Sequence, residues 1–326
     1  MKQDANLAMT LKSSDVLING QKFHILEQGK GPAVFFCHGF PDTARGWRSQ
    51  MAGLAEAGYH AIALDMRGFG RSYAPVQVSE YSALQIVGDL VGVLDVLKIS
   101  QAVLVGHDWG ADHAQRAMLM RPDRFVGLAS LSIPFAPRGE KSNWDNLRQR
   151  GLGNLYYAFE MMKDGAEAMF LPPQTSIPRI LYWLSASPAA GTGWDPIDPA
   201  RRMLRPIGNA DMTWIDDEYI KDTILAFDQS GFVGGLNHYR GALLTFDLMP
   251  AFKDALIRQP SIYIWGERDG LCNFFHPQAP TIEDLISVHP GIMKVVKLEG
   301  VGHFPHLEAP QSVSEELIEF LGRIYY

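Results

Sequence analysis

The sequence predicts an α/β fold, a mostly parallel sheet with helices on both faces, interrupted by an inserted domain that is mainly helical. Three observations lead there. Short runs that are apolar without alternation recur between longer stretches of helical period, the pattern of strands covered on both faces. From about Ala136 to Phe246 that grammar gives way to prolines, glycines and aromatics with no clear strand, and then it resumes. At 326 residues the chain also exceeds the roughly 150 of an ordinary domain, so one enlarged core with an insertion fits better than two tandem domains.

Taken in order, residues 16–18 and 23–26 flank Asn19-Gly20, a hairpin dipeptide. Residues 33–37 form a buried strand ending in His38-Gly39; 60–64 form a second, ending at Asp65; 102–105 a third, followed by Gly106; and 125–133 a fourth. The stretches 47–56 and 111–120 read as helices, the latter stopping before Arg121-Pro122, and 81–97 carries Leu84, Val87, Val91, Leu94 and Leu97 at helical spacing. Inside the insertion, 156–162, 178–184 and 217–225 are the expected helices. Strands return at 261–265 and 293–298, and 313–324 is a closing amphipathic helix. The expected division is therefore a core of 1–136 and 247–326 and a helical cap of 137–246.

Composition narrows the function. Apolar residues make up 47 % of the chain and charged residues 20 %, a balance that builds a core and does not describe a disordered protein. The formal net charge is -7 and no run of Lys or Arg forms a basic stripe, so nucleic acid is not an expected partner. Cys37 and Cys272, the two cysteines, are expected to be free thiols in a reducing compartment. The start, MKQDANLAMTLKSSDVLI, has no apolar segment of about 7–15 residues like that of a secretory signal. No run reaches the roughly 18 apolar residues of a membrane span. A cytoplasmic chain is the expectation, and the sequence is compatible with a homodimer. No His/Cys cluster at metal spacing and no glycine-rich phosphate loop is visible, so neither a metal nor an organic cofactor is expected.

The chemistry centres on Gly106-His107-Asp108-Trp109-Gly110, between a strand and a helix. G-x-nucleophile-x-G in that setting is the nucleophile elbow of α/β-hydrolases, whose glycines let a strained turn lift the central side chain above the sheet edge. Here that side chain is the carboxylate of Asp108. It is already ionised at neutral pH. It suits attack on a saturated, strained or halogenated carbon, whereas attack on an ester would produce an anhydride. As an ordinary residue Asp108 would simply cap the helix that follows. An alkyl ester on Asp108 must afterwards be hydrolysed, which needs a base and an acid that orients it. Asp269, after strand 261–265, and His303, after strand 293–298, stand in the order nucleophile, acid, His, at strand ends where open α/β sheets bind ligands. His306 and Glu267 are their nearest rivals. The loop His38-Gly-Phe-Pro41 follows the first core strand, and the N–H groups of Phe40 and Trp109 are the expected oxyanion donors.

On these residues the sequence resembles the epoxide hydrolases of the α/β-hydrolase fold. His38-Gly-Phe-Pro41, Asp65-Met-Arg-Gly-Phe-Gly-Arg-Ser72, Gly106-His-Asp-Trp-Gly110, Ile133-Pro-Phe135, Asn237-His-Tyr-Arg240 and Gly302-His303 resemble the family's motifs and follow its order. The resemblance implies an α/β-hydrolase core with a helical cap. It also implies that a small hydrophobic epoxide is opened to a diol through an ester on Asp108. Two cap tyrosines would hold and protonate the epoxide oxygen: Tyr239, in the Asn-x-Tyr-Arg motif, and Tyr157, three residues before Glu160, with Tyr156 as its competitor. At His238 the family more often has Trp, a departure expected to alter pocket shape more than mechanism. Haloalkane and haloacid dehalogenases share the core and are the alternative. The former often carry Asn where Phe40 stands, and the latter usually an Arg where Trp109 stands. A non-catalytic binding protein on the same fold would have lost the nucleophile or the histidine, and both are present.

Overall fold

The computed structural model describes residues 10–208, 212–275 and 280–325; the first nine residues of the stretch read for an export signal, and 209–211 within the cap, lie outside them. Eight strands form one sheet: β1 Lys12–Ile18, β2 Gln21–Gly29, β3 Ala33–Cys37, β4 His60–Leu64, β5 Ala102–His107, β6 Phe125–Leu131, β7 Ser261–Gly266 and β8 Ile292–Leu298. Their order is β1-β2-β4-β3-β5-β6-β7-β8. The hairpin β1–β2 turns at Asn19-Gly20 and β2 also runs antiparallel to β4, while every pair from β4 to β8 is parallel.

Alternating side chains of the central strands feed two apolar layers, as the pleat requires. Val34, Phe36, Val103, Val105, Ile262 and Ile264 face helices α1 Arg48–Glu56 and α12 Pro310–Tyr325, through Met51, Leu54, Leu317 and Phe320. Phe35, Ile62, Leu104 and Leu128 face the other way. They meet Ile86, Leu90 and Val93 of α2 Ala83–Val96 and Ala114 and Met118 of α3 Trp109–Met120. Each fully buried Leu, Ile or Phe of these layers contributes about 1.5–3 kcal/mol relative to exposure.

Between β6 and β7 the chain leaves the sheet and builds helices: α4 Asn143–Gln149, α5 Ala158–Met161, α6 Pro173–Leu184, α7 Asp217–Ser230 and α8 Val233–Leu248. Three short helices, α9 Gly270–Phe275, α10 Ile282–Ile286 and α11 Pro305–Glu308, decorate the later strand ends. Helices α4 and α8 and the three short helices are not among those expected from the sequence, and α6 begins before the expected Pro178, which lies inside it. Helix α8 escaped because Gly234, Gly235 and Gly241 depress its helical signal. Those glycines let it sit directly on the core: a Cβ on Gly234 would overlap the Gly68 backbone, one on Gly235 the Phe40 ring, and one on Gly241 the Tyr81 backbone. Helix α7 is tied to the core by Arg45 with Glu218 and Asp222, by Arg48 with Asp216, and by the Tyr219 hydroxyl, which donates to Asp42 at 2.5 Å. No helix among the described residues is long and apolar enough to cross a membrane. Both cysteines are buried and unpaired.

Candidate active site

Asp108 stands where β5 turns into α3, with φ 51° and ψ −122°, a conformation that costs a non-glycine residue about 1–3 kcal/mol. The flanking glycines make the turn feasible, since a Cβ on Gly106 would strike the first turn of α3 and one on Gly110 the carbonyls of Cys37 and His38. Its side chain makes no capping bond to the helix it precedes. Instead Oδ1 accepts the Phe40 N–H at 2.9 Å. The carboxyl is buried, and desolvation raises its pKa above the ordinary 3.8, opposed by His303 and by the N–H groups of Phe40 and Trp109. The structure therefore places the two expected oxyanion donors, from the ends of adjacent strands β3 and β5, on the carboxyl of Asp108.

His303 lies on the loop between β8 and α11, and its Nε2 is 3.7 Å from Asp108 Oδ2. Its Nδ1 donates to Asp269 Oδ2 at 2.9 Å, which sets Nε2 toward Asp108. Burial works against charge on Asp269, but the charge and hydrogen bond of His303, the Leu271 N–H and the Cys272 thiol more than compensate, so its pKa lies below 3.8. Burial likewise opposes charge on His303, and Asp269 and Asp108 together outweigh it, raising the imidazole to about 9. The loop is anchored from both sides: the His303 N–H donates to Leu184 O of the cap at 2.9 Å, and its carbonyl accepts from His107 Nε2 at 2.7 Å and from the Ser132 hydroxyl at 3.0 Å.

Above Asp108 lies a cavity of about 380 Å³, lined by Trp109, Ile133, Trp144, Leu147, Tyr156, Tyr157, Tyr239, Leu271 and Phe274 among others. Tyr239, on α8, meets the Trp109 ring edge-on at 4.8 Å; Tyr157, just before α5, meets Tyr239 edge-on at 6.0 Å. The Tyr157 backbone is pinned by its N–H donating to Pro196 O at 2.8 Å. Burial drives all three phenols above their ordinary pKa, and the charge of Asp108 adds to the rise in each, so they are neutral donors. Tyr156 also lines the cavity, 5.0 Å from the Tyr157 ring, but no ring contact joins it to Tyr239.

The rivals lie elsewhere. His306 Nε2 is 3.0 Å from Asp42 and its ring stacks on Trp47, while Glu267 pairs with Lys297 at the surface. Glu160 pairs with Lys163 in solvent, away from the cavity. The expectation that His238 shapes the pocket needs correction: its ring is turned from the cavity and bonded to His113 and to the Arg67 carbonyl. Trp144, Leu147, Leu271 and Phe274 line the cavity without having been expected from the sequence. For the first two a signal existed, since Ser142 accepts the Asp145 N–H at 3.1 Å, an N-cap three residues before an acid that announces α4. For Leu271 and Phe274, on a single-turn helix after Asp269, no such signal exists. Among the described residues no group of His, Cys, Asp and Glu could hold a metal ion.

Comparison with known proteins places this geometry in context. The family model of the α/β hydrolase fold matches residues 32–310. The chain is 46 % identical over 314 residues to an epoxide hydrolase of Caballeronia sordidicola, covering 96 % of this chain and 94 % of that one. It is 32 % identical over 312 residues to epoxide hydrolase A of Mycobacterium tuberculosis, covering 93 % and 95 %. Among solved structures, an epoxide hydrolase from an endophytic Streptomyces superposes with a TM-score of 0.87 at 31 % identity, covering 96 % of this chain and 95 % of that one. Epoxide hydrolase A from Mycobacterium thermoresistibile does so at 0.86 and 33 % identity, covering 96 % and 98 %.

Proposed function

The chain belongs to the α/β-hydrolase fold family, among its epoxide hydrolases, and on that premise we propose that it converts an epoxide to a vicinal diol through an alkyl ester on Asp108. The observation that carries this reading is the meeting of one buried carboxylate and the two neutral phenols Tyr157 and Tyr239 in a single, mostly apolar cavity, with the His303–Asp269 pair beside the carboxylate. We assign 137–246 to the cap, which carries both phenols, and 1–136 with 247–326 to the core.

Phe40 engages Oδ1, so Oδ2 is the oxygen free to attack. It bonds to one epoxide carbon, that carbon's bond to oxygen breaks, and the released electron pair takes a proton from Tyr157 or Tyr239. The phenolate recovers its proton from the His303 imidazolium, which keeps Asp269 but loses the second carboxylate stabilising it once Asp108 is an ester. Neutral His303 then removes a proton from water as the water oxygen adds to the ester carbonyl. The oxyanion forms on Oδ1, the oxygen that already accepts the Phe40 N–H, with the Trp109 N–H as the second donor to the carboxyl. Collapse breaks the bond to the alkyl oxygen, which takes the proton of the new carboxylic acid and leaves as the diol. Asp108 carboxylate and His303 imidazolium are restored. The apolar lining and a volume near the lower end of small-molecule sites favour a compact hydrophobic epoxide. Two free thiols are in keeping with a reducing, cytoplasmic setting.

Single turnover in ¹⁸O-water tests the ester route. The first diol should carry ¹⁶O from Asp108, with label entering the protein, and label in that first diol would sink the proposal. His303→Gln should trap an adduct of the mass of protein plus epoxide. Chloride release from a haloalkane in place of diol formation would favour the dehalogenase reading.

A further inference from the structure

Behind the cavity two imidazoles join the cap to the core. His113 Nε2, on α3, is 2.8 Å from His238 Nδ1, on α8, and His238 Nε2 is 2.9 Å from the Arg67 carbonyl oxygen. Both rings are buried. A carbonyl can only accept, so His238 carries its proton on Nε2 and presents a lone pair at Nδ1, to which His113 Nε2–H donates. His113 Nδ1 is then an acceptor with no donor among the described residues. The chain of hydrogen bonds therefore has one direction. Desolvation holds it neutral, with His113 at about 4 and His238 well below its ordinary value. Arg67 is itself immobilised, its guanidinium donating to Asp89 at 2.8 and 2.7 Å and to Glu80 at 2.9 Å.

The position of this pair gives it a consequence. His238 directly precedes Tyr239, and His113 lies five residues beyond Asp108 on the helix that the nucleophile begins. Between them the Trp109 ring stacks on His113 at 5.9 Å and meets Tyr239 edge-on at 4.8 Å. Neither imidazole lines the cavity, so neither touches substrate.

We propose that His113 and His238 are positioning residues for ring opening, locking the cap helix to the helix behind Asp108 so that the Tyr239 hydroxyl is held over the nucleophile. The proposal rests on the reading of Tyr239 as a phenol that holds the epoxide oxygen. Ester hydrolysis depends on His303, Asp269 and the N–H groups of Phe40 and Trp109; neither imidazole hydrogen-bonds to any of them, and the Trp109 N–H is held by the backbone of the turn at Asp108, so the two chemical steps should separate. A displacement of about 1 Å in a reacting group can slow a step on the order of a hundredfold.

The test measures rate constants of ester formation and ester decay in single turnover, by rapid quench and intact-protein mass. His113→Phe keeps a ring against Trp109 and deletes the donor; His113→Gln restores an N–H donor. We expect H113F to slow ester formation on the order of ten- to a hundredfold with decay unchanged, and H113Q to recover most of that loss. Ester formation at the wild-type rate in H113F, or equal slowing in H113F and H113Q, overturns the proposal. Tyr239→Phe separates the two readings. If it forms ester at the wild-type rate, the role of Tyr239 fails; if it is slow while H113F is not, only the positioning role fails.

Discussion

His303 Nε2 lies 3.7 Å from Asp108 Oδ2, beyond hydrogen-bond length yet close enough for each charge to govern the other. In the resting enzyme burial lowers the imidazole pKa, but Asp269 and then the Asp108 carboxylate raise it, to about 9. Esterification makes Asp108 neutral and removes one of those raising influences. The base is thus armed by the step that precedes its use.

This sets the pH dependence. Ester decay needs neutral His303, so its rate should climb with pH to a plateau whose midpoint lies below the resting value of about 9. Ester formation needs ionised Asp108, whose pKa burial raises above 3.8, so it should fall off in acid. Rate constants for the two steps across the pH range check both limbs, and a decay midpoint at or above the resting value contradicts the assignment.

The phenols should act on the first step alone. Tyr157→Phe and Tyr239→Phe are each expected to slow ester formation by about 10²–10³, the usual cost of one donor aimed at developing charge. Tyr156→Phe should cost far less, because its ring does not reach Tyr239. A larger effect from Tyr156 than from Tyr157 would reverse their roles.

Asp269→Asn should leave ring opening largely intact and stall hydrolysis. Asp269 fixes the Nδ1–H tautomer of His303 across 2.9 Å, and losing that orientation in comparable pairs lowers turnover roughly 10⁴-fold. The protein-bound ester should accumulate, visible as intact mass. Fast diol release without adduct would remove Asp269 from the mechanism.

Stability offers a separate check at the joint between cap and core. Buried Asp42 accepts from Tyr219 at 2.5 Å, His306 at 3.0 Å and the Thr43 N–H at 2.6 Å. Tyr219→Phe removes one donor without opening a large void and is expected to cost about 1–3 kcal/mol in urea unfolding. An unchanged midpoint would mean that this bond adds nothing net to folding.

The core was legible because its strands are apolar on both faces: 33–37 and 60–64 read from the sequence are β3 and β4 residue for residue. Asp108 and Asp269 were legible because each follows such a strand, His303 because it comes after them in the order nucleophile, acid, His, and the two phenols only through the family motifs. The cap was harder to read. Its helix α8 owes its place to glycines that pack against Gly68, Phe40 and Tyr81, and glycine weakens the periodic signal it serves. His238 shows the same limit. Its neighbour Tyr239 has a motif to mark it, whereas the partnership with His113 spans 125 residues and exists only once the cap is folded down.

Those glycine seats also determine how traffic reaches the chamber. Backbone pressed against backbone leaves α8 little freedom to swing, so opening the cap like a hinge is an unfavourable way to exchange epoxide for diol. Away from α8, the cavity is also lined by Asn143, Asn146, Arg150 and Phe275, all exposed at the surface. Entry and exit by that rim leave the reacting groups undisturbed, and substitutions there offer a way to retune which epoxides are admitted while keeping the ring-opening machinery fixed.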